Sequence, residues 1–348
     1  MNQVILGDSL EVLKQLEDNS VDLICVDPPY YKVKKDWWDR QWDKPEGFLT
    51  WLDGLAEQWE RILKPNGSLY CFASPQMSAR VEVNLLKRFN VLNRITWQKP
   101  PYSTKAEMNK KENSRCFFPA SESIIFCEHY GSDCIVKGAS GYKNECDKLR
   151  GSLFEPLINY FESERKRGNI DKCEINRSLG FSPTPGGMAS RHYFSRSQWW
   201  LPTEEHYGKL QNSFVGFFER EYAELKNEYE TIQEQYEELR LEYEELRRPF
   251  SITAEVPYTD VWTFKTVNSY PGKHPCEKPP DLLEHIILSS SRPGAVVLDC
   301  FCGSGNTLVA AKKHDRNFIG IDIDPEWVSK SNEKLAALDK KVETPTSK

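Results

Sequence analysis

The sequence lacks the long apolar run that a membrane span requires. No stretch of about 18 consecutive apolar residues occurs in the chain. Its opening segment, MNQVILGDSL, has neither the basic nor the apolar region of a secretory signal. We therefore expect a soluble, cytoplasmic protein that has no membrane partner.

Paired cysteines of the kind that hold zinc are also missing. The chain has 10 cysteines, but none of them forms a CxxC pair. Without a signal peptide, their thiols are expected to stay reduced. Cys300 and Cys302 are too close in sequence for that motif and suit small-residue packing beside a turn. We predict no metal site.

The chain has no excess of positive charge. Its formal net charge is −6, whereas affinity for nucleic acid comes largely from Lys and Arg. Residues 219–248 contain 11 Glu against 5 Lys and Arg, which accounts for the whole of that net charge. The rest of the chain is neutral overall and can carry local basic patches, so a nucleic-acid partner is not excluded.

Strand-like and helix-like segments alternate in the first 130 residues. Residues 21–26 form an apolar run typical of a buried strand, and the two prolines that follow must end it. An amphipathic pattern predicts a helix at 48–63, and further strands are expected at 68–72, 91–97 and 123–127. This alternation predicts an α/β fold with a doubly wound, mostly parallel sheet.

The alternation stops near residue 130 and returns near residue 280. A chain of 348 residues suits one catalytic domain that carries an inserted module. We predict that residues 1–130 and 266–340 form the two halves of that domain and that residues 131–265 form a mainly helical insertion. Within the insertion, two short helices are expected on either side of residues 183–187.

The acidic segment 219–248 carries a heptad repeat and is called the heptad helix. Apolar or aromatic side chains fill both core positions of four consecutive heptads: Tyr222, Leu225, Tyr229, Ile232, Tyr236, Leu239, Tyr243 and Leu246. Pro249 ends the predicted helix. Three alternatives remain open, namely a homodimer, packing of the helix against its own chain, and a projecting arm.

A glycine-rich turn follows the predicted strand 295–299. Its glycines let the backbone approach a ligand, and the helix that follows offers amide donors. The turn is neither GxGxxG nor a GK[ST] loop, so a nucleoside ligand fits better than a dinucleotide or a nucleoside triphosphate. Asp322 ends the next strand about 20 residues later, which is the placement of a ribose-binding acid.

The strand 21–26 leads directly into the tetrapeptide DPPY at residues 27–30. This tetrapeptide supplies an acceptor carboxylate, a carbonyl without competing amides, and an aromatic face at the carboxyl end of a strand. These groups suit a flat base that bears an amino group. In isolation, a capped strand end would explain the same residues, but the glycine turn in the same chain favours the binding role.

Together the tetrapeptide and the glycine turn resemble the [DNS]PP[YFW] and FxGxG motifs of the amino-methyltransferases of DNA. Three other segments agree with the family pattern: residues 7–9, 63–68 and 274–279. The resemblance covers most of residues 1–130 and 270–335. The catalytic motif comes first, then the insertion and then the cofactor motif, which is the order of the β class.

The resemblance implies a seven-stranded Rossmann-like methyltransferase sheet, with the insertion as its target-recognition module. It also implies S-adenosylmethionine as cofactor and double-stranded DNA as partner, and it leaves open whether a cognate restriction endonuclease accompanies the enzyme.

The resemblance further implies which residues form the site. The catalytic residues would be Asp27, Pro28, Pro29 and Tyr30. The residues expected at the cofactor are Asp8, His274, Lys278, Pro279, Asp299, Phe301, Gly303, Ser304, Gly305, Asn306, Thr307 and Asp322. Among these, Asp8 would lie near the adenine of the cofactor, Asp322 would hold its ribose, and residues 274–279 would border its methionine part. Asn306 occupies a position where the family more often has threonine.

A base that is paired in a duplex must rotate out of the stack before its amino group can react. Tyr30 would stack on that base, while Asp27 and the carbonyl of Pro28 would accept hydrogen bonds from the amino group. Carbon-5 methylation of cytosine would instead need a cysteine nucleophile, and the sole Pro-Cys pair, Pro275 and Cys276, lies in the cofactor-side segment. By resemblance, Asp27 rather than serine favours N6 of adenine over N4 of cytosine, although the geometry serves either amino group.

Contacts with DNA are expected from a lysine-rich loop and from the insertion. The loop would contribute Lys99, Lys105, Lys110, Lys111 and Arg115. The insertion would contribute Arg191, His192, Arg196, Gln198 and Trp199.

Two rival functions remain. The first is methylation of RNA or of a protein glutamine, in whose family members the cofactor motif usually comes first. The second is a non-catalytic DNA-binding or scaffold protein, against which the intact tetrapeptide and glycine turn both count.

Overall fold

The computed structural model describes residues 2–99, 115, 119–251 and 259–342. The chain divides into two compact units, Met1–Ser132 with Arg248–Lys348 and Asp133–Arg247. We call these the sheet unit and the inserted unit. The inserted unit ends at Arg247, before the predicted end at residue 265. The strand Val261–Thr263, which was expected in the insertion, pairs with the sheet of the other unit.

The described strands are β1 (Gln3–Leu6), β2 (Val21–Val26), β3 (Leu63–Ala73), β4 (Phe89–Gln98), β5 (Ser121–His129), β6 (Ile135–Val136), β7 (Ala139–Ser140), β8 (Val261–Thr263), β9 (Val296–Asp299) and β10 (Asn317–Asp322). Eight of them form one sheet in the order β1-β10-β9-β2-β3-β5-β4-β8. Neighbouring strands are parallel, except that β5 runs antiparallel to both β3 and β4. The predicted doubly wound, mostly parallel sheet is confirmed, with β8 as an eighth strand beyond the seven expected.

The described helices of the sheet unit are α1 (Ser9–Leu13), α2 (Pro45–Ile62), α3 (Ser78–Leu85), α10 (Pro280–Ser290), α11 (Asn306–Lys313) and α12 (Pro325–Val342). They cover both faces of the sheet. In β2, Ile24 and Val26 pack on one face in a core with α2, while Leu23 and Cys25 pack on the other face in a core with α10. The central strand is therefore buried on both sides, as its continuous apolar run predicts.

The inserted unit contains α4 (Tyr142–Leu153), α5 (Glu155–Arg167), α6 (Lys172–Ser178), α7 (Met188–His192), α8 (Glu204–Ser213), α9 (Tyr222–Arg240) and the short hairpin β6–β7. Helices α6 and α7 lie on either side of residues 183–187, as predicted. No helix in the described ranges is long and apolar enough to cross a membrane.

The heptad helix packs against its own unit. Its α-helical part ends at Arg240, and a 3-10 helix follows at Leu241–Leu246. Leu225 and Tyr236 are buried in the aromatic core of the inserted unit, where the ring of Tyr229 lies 5.3 Å from that of Phe154. Tyr222, Tyr229 and Tyr236 thus pack in an intramolecular core, which is one of the alternatives that the heptad pattern left open.

Candidate active site

A cleft of about 590 Å³ opens in the sheet unit where the central strands end. Asp27 follows β2, while Asp299 and Asp322 are the last residues of β9 and β10. Because the carboxyl ends of parallel strands meet at one edge of the sheet, three carboxylates that are distant in sequence line the same cleft.

The cleft brings most of the predicted site residues together. Its wall includes the whole tetrapeptide 27–30 and the following residues expected at the cofactor: Asp8, His274, Lys278, Asp299, Phe301, Gly303, Ser304, Asn306, Thr307 and Asp322. Pro279 and Gly305 stand at the starts of α10 and α11 rather than in that wall.

The glycine turn requires glycine for two reasons. Gly303 and Gly305 have φ angles of +47° and +79°, a region that other residues rarely adopt. A Cβ on Gly303 would lie 3.2 Å from the His274 ring, and one on Gly305 would lie 2.6 Å from Oγ of Ser331. The carboxylate of Asp322 accepts a hydrogen bond of 2.8 Å from the amide of Gly303, which fixes the turn beside the cleft.

The segment 274–279 is anchored to the helix that follows the turn. The Asn306 amide donates to the Lys278 carbonyl at 3.0 Å and accepts from the Lys334 ammonium at 2.9 Å. The bridge uses both the amide nitrogen and the amide oxygen of Asn306. Burial, reinforced by the charge of Lys278, lowers the pKa of His274 to about 4, so its ring is neutral at pH 7.

Asp8 combines a structural and a surface role. Its Oδ1 caps α1 by accepting hydrogen bonds from the amides of Leu10 and Glu11 at 2.9 and 3.2 Å. The same side chain borders the cleft, where a carboxylate can accept hydrogen bonds from a ligand.

Among the described residues, only one oxygen of the Asp27 carboxylate has a hydrogen-bond partner. Its Oδ2 lies 2.6 Å from the ammonium of Lys278, whereas its Oδ1 is buried without a hydrogen-bond partner in the described structure. Burial raises the pKa of Asp27, and the neighbouring Lys278 opposes that rise. A buried acceptor is costly unless something donates to it, so Oδ1 suits a ligand that brings an N–H group.

Glu122, which sequence reasoning missed, lies at the same end of the cleft. Its Oε2 accepts a hydrogen bond of 2.9 Å from the hydroxyl of Tyr30, and its Oε1 pairs with the ammonium of Lys99 at 2.5 Å. Lys278 lies 3.3 Å from Oε2. A charged residue shortly before the apolar run 124–127 was the one signal for Glu122 in the sequence.

Asp39 was also missed, because it falls in a segment with no regular pattern. It is fully buried, and its two oxygens accept from the amides of Tyr30 at 2.6 Å and Lys34 at 2.5 Å. The intervening Tyr31 and Lys32 both have a φ of +61°, a conformation that costs free energy in residues other than glycine. The carboxylate therefore holds a strained turn directly behind the tetrapeptide.

The residues predicted to contact DNA lie in different environments, and some of them are exposed while others are paired with carboxylates. Arg115 and Arg191 are exposed, and Arg196 is paired with Glu155. Lys99 differs from the expected phosphate contact, since its ammonium is engaged with Glu122 in the cleft. Lys105, Lys110 and Lys111 lie outside the described residues.

The prediction that Trp199 contacts DNA is wrong. It is fully buried between aromatic rings of the inserted unit, and its indole N–H donates to the carbonyl of Tyr193. It cannot contact DNA from that position. The neighbouring Trp200 is exposed and stacks on His192 with ring centres 4.1 Å apart.

A family model and several known proteins are similar to this chain. A family model described as DNA methylase matches residues 21–333. The type II methyltransferase M2.DpnII of Streptococcus pneumoniae is 48% identical and aligns with 97% of this chain and 91% of its own length. The DNA adenine methyltransferase YhdJ of Escherichia coli (strain K12) is 25% identical over 95% of this chain and 82% of its own.

Among solved structures, the cytosine-N4-specific PvuII DNA methyltransferase superposes with a TM-score of 0.53. It is 15% identical and covers 96% of this chain and 86% of its own. At that identity the likeness shows the fold alone.

Proposed function

This chain belongs to the family of DNA methylases that act on N6 or N4 of the bases of DNA. We propose that it methylates N6 of adenine in double-stranded DNA. The methyl donor is S-adenosylmethionine. The observation that carries the proposal is the buried, unpartnered Oδ1 of Asp27, beside the ring of Tyr30 in the wall of the cleft. An exocyclic amino group is the donor that this acceptor lacks.

The choice of adenine rests on two supports. The tetrapeptide begins with Asp27, whereas serine would favour N4 of cytosine by resemblance. YhdJ, which aligns with most of the chain, is an adenine methyltransferase by name. The cytosine-specific structural neighbour is too distant in sequence to argue for either base.

The cleft fits S-adenosylmethionine. Its volume of about 590 Å³ lies within the range of small-molecule sites, and the glycine turn places Gly303 in its wall. Asp322 and Asp8 would accept hydrogen bonds from its hydroxyl and amino groups, and the segment 274–279 would border its methionine part. When bound, the cofactor supplies an electrophilic methyl group on a positively charged sulfur.

We propose the following roles for the protein groups. Tyr30 stacks on the base that has left the duplex, at a cost of a few kcal/mol for unstacking. Oδ1 of Asp27 and the carbonyl of Pro28 accept hydrogen bonds from its amino group and orient the nitrogen lone pair. As nitrogen gains the methyl group, its N–H bond breaks and the proton passes to Oδ1 of Asp27. The Lys278 ammonium favours the ionised form of Asp27 before that step.

Target recognition belongs to the inserted unit in this proposal. Exposed Arg191, exposed Trp200 and the partly buried His192 that stacks on it are the groups on it suited to contact phosphates and bases. The type II relatives support a further proposal, that the enzyme works beside a cognate restriction endonuclease.

The test is transfer of a labelled methyl group from S-adenosylmethionine to unmethylated DNA, followed by separation of the nucleosides. We expect the label in N6-methyladenine. Label in N4-methylcytosine would overturn the choice of base. Unlabelled DNA with labelled RNA or protein would overturn the substrate class.

A further inference from the structure

The side chain of Glu122 is largely buried, although it carries a carboxylate. It lies on β5, opposite Trp97 of β4, and its side chain is 14% exposed. The following residues of the strand, 124–127, are apolar and buried. A charged side chain in such a position costs stability unless its partners compensate, so its partners indicate what it does.

Those partners come from three separate parts of the chain, and all of them line the cleft. Tyr30 follows β2, Lys99 follows β4, and Lys278 precedes α10. Burial by itself would raise the pKa of Glu122, but the ammonium groups of Lys278 and Lys99 lower it to about 2. Glu122 is therefore an anion at pH 7.

The anion balances the charges around the reacting carboxylate. Asp27 and Glu122 are negative, Lys278 and Lys99 are positive, and Lys278 contacts both acids at 2.6 and 3.3 Å. The side chain of Lys278 is only 8% exposed, so solvent cannot replace a missing partner. The hydroxyl of Tyr30 donates a hydrogen bond to Glu122 and also interacts with the Asp27 carboxylate.

We propose that Glu122 is a positioning residue for methyl transfer, which holds the Tyr30 ring against the target base and shares the Lys278 ammonium with Asp27. Glu122 itself need not touch the reacting atoms. The inference rests on the proposed function, because it concerns the same reaction and deepens the account of that site.

The isosteric variant Glu122→Gln removes the charge and keeps the volume. We expect kcat to fall by about 10- to 100-fold, since a misplacement of about 1 Å costs that much. The KM for S-adenosylmethionine should stay within about twofold, because Glu122 lies among the base-side partners.

The pH profile separates positioning from a general loss of structure. The titratable groups that face Asp27 are Lys278, Glu122, Tyr30, Asp299, Cys25, Cys71 and Cys276. Among them, the charge of Glu122 raises the pKa of Asp27. Its removal should therefore move the acid limb of the kcat profile to lower pH, whereas a merely loosened fold would lower kcat without moving that limb.

Two further variants complete the experiment. Tyr30→Phe deletes the hydroxyl that Glu122 accepts from, so the effects of the two variants should be less than additive in the double variant. It also tests the contact if Glu122→Gln fails to fold. Glu82→Gln removes a partner of an outer ion pair with Arg94 at 3.5 Å and should leave kcat unchanged.

The outcomes are distinct. If the wild-type protein methylates DNA and Glu122→Gln matches it in kcat and in its acid limb, the positioning role is wrong while the proposed function stands. If the effects of Tyr30→Phe and Glu122→Gln on kcat are additive in the double variant, the two side chains do not act together. If the wild-type protein does not methylate DNA, the proposed function itself fails.

Discussion

The ammonium of Lys278 lies 2.6 Å from Oδ2 of Asp27, although the two residues are 251 positions apart. Lys278 was expected at the methionine end of the cofactor. Its side chain reaches the carboxylate of Asp27, while its carbonyl accepts from Asn306 in the helix after the glycine turn. One residue thus links the tetrapeptide 27–30 to the segment 274–279.

Removing this ammonium should move the acid limb of activity. Burial raises the pKa of Asp27, and Lys278 opposes that rise. In Lys278→Met the opposition disappears, so the pKa of Asp27 rises further and ionised Asp27 is reached only at higher pH. Initial rates measured from about pH 5 to pH 9 should show the limb shifted to higher pH, the reverse of the Glu122→Gln shift.

Lys278→Arg should recover part of the activity because it keeps the charge. Lys14→Met, at an exposed pair with Glu11, serves as the control and should leave the profile unchanged. An unshifted limb in Lys278→Met would show that the ion pair does not set the ionisation of Asp27.

The glycine turn offers a matched pair of variants. Gly305 and Gly294 have φ angles of +79° and +81°, but an added Cβ meets Ser331 at 2.6 Å in the first and nothing within 4 Å in the second. Both alanine variants should lose about 1–3 kcal/mol of unfolding free energy from backbone strain. Gly305→Ala alone should also weaken S-adenosylmethionine binding by at least about tenfold, measured by calorimetry. Equal affinities in the two variants would contradict the role assigned to the turn.

Trp199 and Trp200 are neighbours with opposite exposure. Trp199→Ala leaves a cavity among Phe154, Phe161 and Tyr229 and should cost about 3–5 kcal/mol. Trp200→Ala, at an exposed site, should cost less than about 1 kcal/mol. Chemical denaturation of both variants measures the difference, and similar losses would show that Trp199 is not the core residue described.

The sequence predicts the central strands well, because burial on both faces leaves a continuous apolar run such as residues 21–26. β1 was not predicted. It has only four residues, two of them exposed, and its status as a strand comes from pairing with β10, more than 300 positions away. No local pattern records such a partner.

Sequence patterns identified only some of the residues in the cleft. The tetrapeptide and the glycine turn were recognisable because their residue types and spacing carry the chemistry. Glu122 and Asp39 could not be assigned, because their roles depend on partners that only the fold brings together. Trp199 was misjudged for the same reason, since an aromatic side chain among polar neighbours suits either a DNA contact or a core.

The most direct measurement of the central claim is the single-turnover rate of methyl transfer by Asp27→Asn at saturating S-adenosylmethionine. Asparagine keeps the shape of the side chain but cannot take the proton from the amino group. We predict a fall of at least about 10³-fold relative to the wild type, with S-adenosylmethionine affinity preserved. A rate within about tenfold of the wild type would contradict the assignment of Asp27 as the group that receives the target amine.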